Sequence, residues 1–173
     1  MTRRHVPALC MALAAVASAH AATPEIRRPA GVPQGDGVAH TLRSIPEACA
    51  SLQGRFTGEA ASPYAFTAVR SSASCQPRAR FVDAAKARPS EAAGWRLNDV
   101  VRVPSKDCAG LAAVVEVWRK PGVAVPPRLD AQGRARLYLD EAKAKAKARA
   151  GAGTAPRVTQ YAAKLAVEGR PCG

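Results

Sequence analysis

Short stretches rich in aromatic and β-branched residues recur through the middle and the end of the chain, separated by turn-forming residues. Patterns of this kind are typical of β-strands bounded by turns. They predict strands at residues 64–70, 78–83, 95–103, 111–119 and 157–168. The chain is therefore expected to form a domain that is rich in β-sheet.

The third and fourth stretches are predicted to form an antiparallel pair joined by residues 104–110. This pairing places Val103 opposite Leu111 and Trp95 opposite Arg119. One face of the pair is then apolar apart from Asp99 and Arg119, as expected for a sheet that covers a core. A β-bulge at Asp99 accounts for the interruption, because a bulge re-aims a side chain.

The other face of this pair brings Trp118 opposite Arg96. We expect a cation–π contact between the two side chains, with an exposed recognition ring as the alternative. Arginines two positions apart point to the same side of a strand. If all of these sides coincide, the sheet has a basic face exposed to solvent, made of Arg78, Arg80, Arg96, Arg102, Arg134 and Arg136.

A short helix is predicted near the start of the domain. The sequence S-I-P-E that begins at Ser44 has the spacing of a capping box with a proline in the first turn. Cys49 would then lie on the inward face of this helix, and Gly54 would end it.

A second helix is predicted over residues 140–150, where alanine alternates with lysine and arginine. Asp140 is a favourable N-cap, both acidic residues lie in the first turn, cations fill the later turns and Gly151 follows the end. Lys143 and Lys147 flank its uncharged alanine stripe. These features are typical of a helix that lies on the protein surface; the alternative is a basic arm that binds nucleic acid, which would not need the acidic residues at its start.

Residues 134–139 have apolar side chains at alternate positions and are predicted as a strand that leads into this helix. The alternative is a single long helix over residues 130–150. Gly133 would lie in the interior of that long helix and would cost about 1 kcal/mol.

These elements predict an α+β domain at residues 38–173. It would contain a mainly antiparallel β-sheet, one short N-terminal helix and one Ala/Lys-rich helix, stapled by two disulfides. Residues 22–37 are rich in proline and glycine without periodicity, and are expected to form a flexible leader.

Residues 1–21 have a basic start, an apolar run and small residues before Ala21, which is the pattern of a secretory signal peptide. The apolar run is shorter than the ~20 residues that a membrane-spanning helix needs. We therefore expect an exported protein, periplasmic or secreted after cleavage near Ala21, with no transmembrane span in the mature chain.

Cleavage would remove Cys10 and leave four cysteines. An even number of cysteines in an exported chain predicts disulfides, and the absence of a C-x-x-C pair argues against zinc. If the last strand runs antiparallel to its neighbour, Cys172 returns to the end of the sheet where Cys108 lies. The predicted bonds are therefore Cys108–Cys172 and Cys49–Cys75.

The formal net charge is +13, and the loss of Arg3 and Arg4 with the signal peptide would leave +11. A charge of this size attracts anionic surfaces. For an exported protein these are lipid headgroups, lipopolysaccharide, acidic glycans or DNA. The alternative is that an arginine-rich background composition raises the charge without selecting a partner.

Residues suited to catalysis are few. His40 would be the one histidine of the mature chain, and no G-x-S-x-G or H-E-x-x-H motif occurs. The remaining candidate is a carboxylate pair, Asp99 and Glu116, which fall on opposite faces of the predicted hairpin unless a bulge turns Asp99. We therefore expect a protein without enzymatic activity, metal or cofactor.

The predicted function is that of a small exported domain that presents a basic surface to an anionic envelope partner. Lys143, Lys147 and Trp118 would belong to this surface together with the six arginines named above. The alternative is a protein-binding module, such as an inhibitor of a secreted hydrolase or an accessory subunit of an envelope assembly. Such a module would use a loop and the edge of the sheet.

Overall fold

The computed structural model describes residues 22–122, 131 and 157–172. Strands dominate this part of the chain, with one four-residue α-helix and two short 3-10 turns, at Pro46–Ala48 and Glu91–Ala93. In chain order the strands and the helix are β1 (His40–Ile45), β2 (Ala50–Phe56), β3 (Tyr64–Arg70), β4 (Arg80–Phe81), α1 (Ala84–Ala87), β5 (Arg96–Pro104), β6 (Ala112–Lys120) and β7 (Gln160–Glu168).

The strands form two sheets. β1, β2 and β3 form an antiparallel three-stranded sheet in chain order. The second sheet has the order β4-β7-β6-β5, in which β5, β6 and β7 are antiparallel and β4 runs parallel to β7. β3 therefore lies at one edge of the first sheet, and β4 and β5 lie at the two edges of the second.

The apolar faces of the two sheets contribute to one core cluster. Leu52 of β2 is fully buried there together with Val115 and Val117 of β6. Trp118 alternates with Val117 and lies on the outer face of the second sheet, in a second apolar cluster that contains Trp95. The four-stranded sheet is thus largely apolar on its core face, where Asp99, Arg96 and Arg119 are exceptions, and apolar on part of the other face.

Four of the predicted strands correspond to β3, β5, β6 and β7; the bounds of β3 agree with the prediction, those of β5 and β6 are shifted by one residue, and β7 begins three residues later. The stretch at residues 78–83 forms only the two-residue strand β4. It ends early because the side chain of Asp83 accepts a hydrogen bond from the amide of Ala85 (2.9 Å) and caps α1.

The predicted N-terminal helix is wrong. Ser44 belongs to β1, and the helical segment is reduced to the single 3-10 turn at Pro46–Ala48, whose N-cap makes no side-chain hydrogen bond. Cys49 has a left-handed backbone conformation (φ 51°) that reverses the chain into β2. The alternating burial of β2 shows a strand period where the sequence suggested a helical one.

The β-bulge expected at Asp99 is present, since the register of β5 against β6 shifts between Leu97 and Asp99. The register itself differs from the prediction, because Val103 pairs with Ala113, two residues from the expected partner. The bulge also reverses the faces on its N-terminal side. Leu97 consequently joins the outer apolar cluster, whereas Val103 faces the main core.

The leader lies along the edge of β5. The amides of Glu25, Gly31 and Gln34 donate hydrogen bonds of 2.9, 2.7 and 3.0 Å to carbonyl oxygens of that strand. The leader contains only isolated bridges, parallel to its neighbour, and no strand of its own. The sequence predicts a segment without a fixed partner, whereas the structure gives it backbone contacts to β5.

The two disulfides are Cys49–Cys75 and Cys108–Cys172, the pairs expected from the sequence. The first ties the turn between β1 and β2 to the loop after β3. The second ties the loop between β5 and β6 to the end of β7, because β7 runs antiparallel to β6.

Several predictions concern residues outside the described part of the chain. These are the signal peptide at 1–21, the strand at 134–139 and the Ala/Lys-rich helix at 140–150, together with Arg134, Arg136, Lys143 and Lys147. The alternative of one long helix over residues 130–150 lies outside it as well, except for residue 131. Among the residues that the structure does describe, no helix has the length and apolar character needed to cross a membrane.

Candidate functional site

The structure separates the predicted basic residues. Arg80 and Arg102 lie on the outer face of the four-stranded sheet, but at its opposite edges, in β4 and β5. Arg96 pairs with Arg119 and lies on the other face because of the bulge. Arg78 lies in the segment between β3 and β4. These arginines therefore do not form one continuous patch.

Arg102 forms an ion pair within the protein, and a ligand would have to compete with it. Both of its terminal nitrogens contact the carboxylate of Glu168 across the sheet. This contact holds the pKa of Glu168 below its usual range and raises the pKa of Arg102, in each case chiefly through the hydrogen bonds between the two side chains.

Trp118 does not present an exposed ring, since only 7% of its surface is accessible to solvent. Its indole N–H donates a hydrogen bond of 3.2 Å to Glu116, and the ammonium group of Lys164 lies 5.3 Å from the ring centre. The predicted cation–π contact thus has a different partner, because the bulge moves Arg96 to the opposite face.

The carboxylate pair Asp99 and Glu116 is not formed. Asp99 pairs with Val117 and is fully buried on the core side, whereas Glu116 alternates with Val117 and lies on the outer face. Among the residues that can be described, no group of three or more His, Cys, Asp and Glu side chains is placed to hold a metal ion.

His40 has a structural role in β1. Its Nδ1 lies 3.1 Å from the carbonyl oxygen of Val38, so Nδ1 carries the proton, and Nε2 accepts a hydrogen bond of 2.7 Å from the hydroxyl of Tyr64. Burial raises the pKa of Tyr64. Both ring nitrogens of His40 are therefore occupied by contacts within the first sheet.

The edge of β3 is a different kind of site. The backbone amide of Ser71 donates a hydrogen bond to the carbonyl oxygen of Cys49 (2.9 Å), and the backbone amide of Thr57 donates one to the carbonyl oxygen of Pro63 (3.0 Å). In an antiparallel pair, hydrogen-bonded and non-hydrogen-bonded residue pairs alternate. These two bonds therefore determine which residue pairs of the β2–β3 ladder are hydrogen-bonded and which are not.

This alternation determines which backbone groups of β3 point away from β2. Tyr64, Phe66, Ala68 and Arg70 occupy non-hydrogen-bonded pairs, so their N–H and C=O groups point outward. Within the described ranges these groups have no backbone hydrogen-bond partner. Within the part of the chain that the structure describes, β3 thus presents an open edge of the kind that can accept another strand.

Two grooves follow this open edge, with volumes of about 640 and 600 Å³. The first, called groove A here, lies between β3, α1 and β7. The second, groove B, lies between β3, β4 and the turn at Pro46–Ala48. Both are bordered by Ala68 and Phe81, so together they extend along β3 from Phe66 to Arg70.

The floor of the two grooves is largely apolar. Phe66, Phe81 and Leu165 are half-buried and pack against the main core. They lie beside the outward-facing backbone of β3 and remain partly accessible. An extended chain that paired with β3 would therefore find apolar contacts for side chains on its inner face.

Charged side chains are distributed unequally between the grooves. Groove B is lined by Arg70 and Arg80 and by no acidic residue. Groove A is lined by Lys164 and Asp83. Lys164 donates to the carbonyl oxygen of Pro89 (2.7 Å), so its charge is already engaged.

Sequence reasoning identified β3 as a strand but not as the site. Its alternation of apolar and polar residues gives the strand period, and nothing in that pattern states whether a strand lies in the middle or at the edge of a sheet. The exposed outer residues Ala65 and Thr67 are the only local signal. Comparison with protein-family models, curated proteins and solved structures finds no match.

Proposed function

We propose that this protein is a non-enzymatic binding module that accepts an extended segment of a partner protein as an additional strand along β3. The observation that carries the proposal is the row of outward N–H and C=O groups at Phe66 and Ala68, bordered by two apolar grooves. Strand addition of this kind takes affinity from main-chain hydrogen bonds and specificity from the side-chain pockets beside them.

The length of β3 supports a short bound strand. Four residues of β3 point their backbone groups outward, and each net hydrogen bond contributes roughly 0.5–1.5 kcal/mol. Apolar side chains on the inner face of the added strand would contact Phe66, Phe81 and Leu165. The expected ligand is a segment of five to seven residues, on the order of the mean strand length, with alternating apolar residues.

We further place the module outside the cytoplasm. Two features support this part of the proposal, the signal-peptide pattern of residues 1–21 and the pair of disulfides. An inhibitor of a secreted hydrolase or an accessory subunit of an envelope assembly is the kind of protein that such a module would be.

Binding to an anionic polymer is the second candidate, favoured by the net charge of +13. It has less geometric support, because Arg96 and Arg102 lie on opposite faces and Arg102 is paired with Glu168. Lipopolysaccharide, an acidic glycan and DNA would each bind with an affinity that falls steeply with salt.

The test is a selection of random nine-residue peptides against the mature, oxidised protein, repeated with Ala68→Pro. The N–H of Ala68 points outward, so proline removes one edge donor and leaves the pairing with β2 intact. Ala68→Thr is the matched control, since it adds a β-branched side chain and keeps the N–H.

We expect enriched peptides that bind the wild type and Ala68→Thr at physiological salt, and a loss of at least tenfold in affinity with Ala68→Pro, roughly the worth of one edge hydrogen bond and its neighbours. Equal binding to all three proteins would overturn strand addition at β3. Retention of anionic polymers at low salt, without any enriched peptide, would favour the second candidate.

A further inference from the structure

We propose that the segment bound along β3 carries an aspartate or glutamate at the end that lies beside Arg70 and Arg80, in groove B. This inference rests on the proposed function and adds the chemistry of the ligand to it. It follows from the charges that line the two grooves and from which of those charges are already paired within the protein.

Arg70 and Arg80 are not used by the ion pairs of the described residues. Those pairs engage Arg28, Arg43, Arg96, Arg102 and Arg119. Arg70 and Arg80 both line groove B, which has no acidic residue in its lining. Arg70 extends from the core-facing side of β3, whereas Arg80 borders the groove from the edge strand β4 with its side chain on the outer face of that sheet. The rim of the groove is therefore positively charged, without a neutralising partner in the described part of the chain.

The side chain of Arg70 is held in position by a neighbouring loop. Its Nη2 donates a hydrogen bond of 2.9 Å to the carbonyl oxygen of Cys75. Cys75 is bonded to Cys49, which also lines groove B. A guanidinium group has five N–H donors in a planar fork, so a carboxylate can still be bound by the donors that Cys75 leaves free.

Glu47 is the acidic residue nearest to this groove in the sequence, directly before Ala48 of the lining. Its backbone carbonyl accepts hydrogen bonds from Arg78 and Ala79 (2.7 and 2.8 Å), and its side chain is exposed. Glu47 is not part of the lining and makes no ion pair with Arg70 or Arg80 in the described chain.

Groove A offers no unpaired cation among the described residues, in contrast to groove B, and this difference sets the orientation of the bound strand. Its cation, Lys164, is occupied by Pro89 and lies over Trp118. Its acid, Asp83, accepts one hydrogen bond from the amide of Ala85 through Oδ1 and is exposed, so its negative charge disfavours an acidic ligand residue there. Apolar contacts with Phe66 and Leu165 remain as the main interaction available there. The bound strand should therefore be apolar over groove A and acidic over groove B.

The experiment uses one enriched peptide that binds in an Ala68-dependent manner, together with two copies in which its acidic residues are replaced by glutamine or by lysine. Binding is measured with the wild type, with Arg70→Glu/Arg80→Glu and with Arg55→Glu/Lys106→Glu. The last variant has the same net charge, and its two exposed positions lie outside both grooves.

We expect the wild type and the control variant to prefer the acidic peptide over its glutamine copy by about tenfold, as for a charge-assisted hydrogen bond at a partly exposed site. Arg70→Glu/Arg80→Glu should instead prefer the lysine copy. A circular dichroism spectrum and a thermal midpoint close to those of the wild type would show that this variant is folded.

The two levels of the proposal fail in different ways. Peptides that depend on the N–H of Ala68 but show no preference for acidic residues would overturn the acidic ligand and leave strand addition in place. An acidic preference that persists in Arg70→Glu/Arg80→Glu would overturn the assignment to groove B. Peptides that bind Ala68→Pro as well as the wild type would overturn strand addition itself.

Discussion

Arg28 and Asp99 form a two-point ion pair that joins the leader to β5. Nε of Arg28 lies 3.1 Å from Oδ1 of Asp99, and Nη2 lies 2.5 Å from Oδ2. Arg43 of β1 approaches the same carboxylate, with its Nε 3.1 Å from Oδ2. A fully buried aspartate thus lies between guanidinium groups from the leader and from the other sheet.

We predict that Asp99→Asn destabilises the protein by about 3 kcal/mol, because removing one member of a buried ion pair leaves charge without compensation. The measurement is the free energy of unfolding from denaturant titration of the oxidised protein. Glu59→Gln is the control, since Glu59 is exposed and makes no side-chain ion pair among the described residues. A change within 0.5 kcal/mol for Asp99→Asn, the usual range for surface substitutions, would show that the carboxylate is not needed.

Gly54→Ala should destabilise the protein by about 2 kcal/mol, the cost of overpacking. A Cβ at position 54 would overlap the ring and hydroxyl of Tyr64, which lie over Gly54 where the hydroxyl bonds to His40. The loss should be smaller in the background of Tyr64→Ala, because that change removes the overlapping ring. Gly31→Ala, where a Cβ meets only ordinary contacts, is the control. Additive effects of Gly54→Ala and Tyr64→Ala would contradict the contact.

Acid should loosen the leader through Glu25. Hydrogen bonds from Arg119, with further help from Asn98 and Arg96, hold the pKa of Glu25 below its usual value of 4.5. A carboxylate whose folded pKa is lowered stabilises the fold above its unfolded pKa, and this contribution is lost as the pH falls through the folded pKa. The relevant window therefore lies below about pH 5.

We predict that the free energy of unfolding of the wild type falls more between pH 5 and pH 3 than that of Glu25→Gln, since the variant has no proton to gain at this position. Glu59→Gln, which keeps Glu25 and removes an exposed acid that makes no ion pair among the described residues, should retain the wild-type slope. Parallel pH profiles for the wild type and Glu25→Gln would mean that the contacts of Glu25 do not contribute to stability.

Local sequence patterns were sufficient where the structure depends on neighbours in the chain. The alternation in β3, β5, β6 and β7 identifies strands, and Asp99 in an otherwise apolar face marks the bulge. The pairing of Cys108 with Cys172 follows once β7 is antiparallel to β6.

The same patterns failed where a local signal had two structural explanations. Ser-Ile-Pro-Glu at residues 44–47 resembles a helix start, but the left-handed conformation of Cys49 turns the chain into a hairpin instead. Alternation in A-S-L-Q-G-R-F, at residues 50–56, was the competing signal for a strand.

Long-range contacts account for the rest. The leader is composed as a loop, and it is fixed by ion pairs to residues about 70 positions away, which no local pattern encodes. The open edge of β3 depends on the order of strands in two sheets. The scattered arginines showed that charge counted along a sequence does not define a surface, because one bulge moved Arg96 away from Arg102.

The most direct test of the binding edge is amide hydrogen exchange along β3, measured residue by residue by NMR on the free protein. We predict slow exchange for Ala65, Thr67 and Val69, whose amides point toward β2, and much faster exchange for Phe66 and Ala68, whose amides point outward. Slow exchange at all five positions would mean that the edge is covered within the protein itself, and would contradict a site for an added strand.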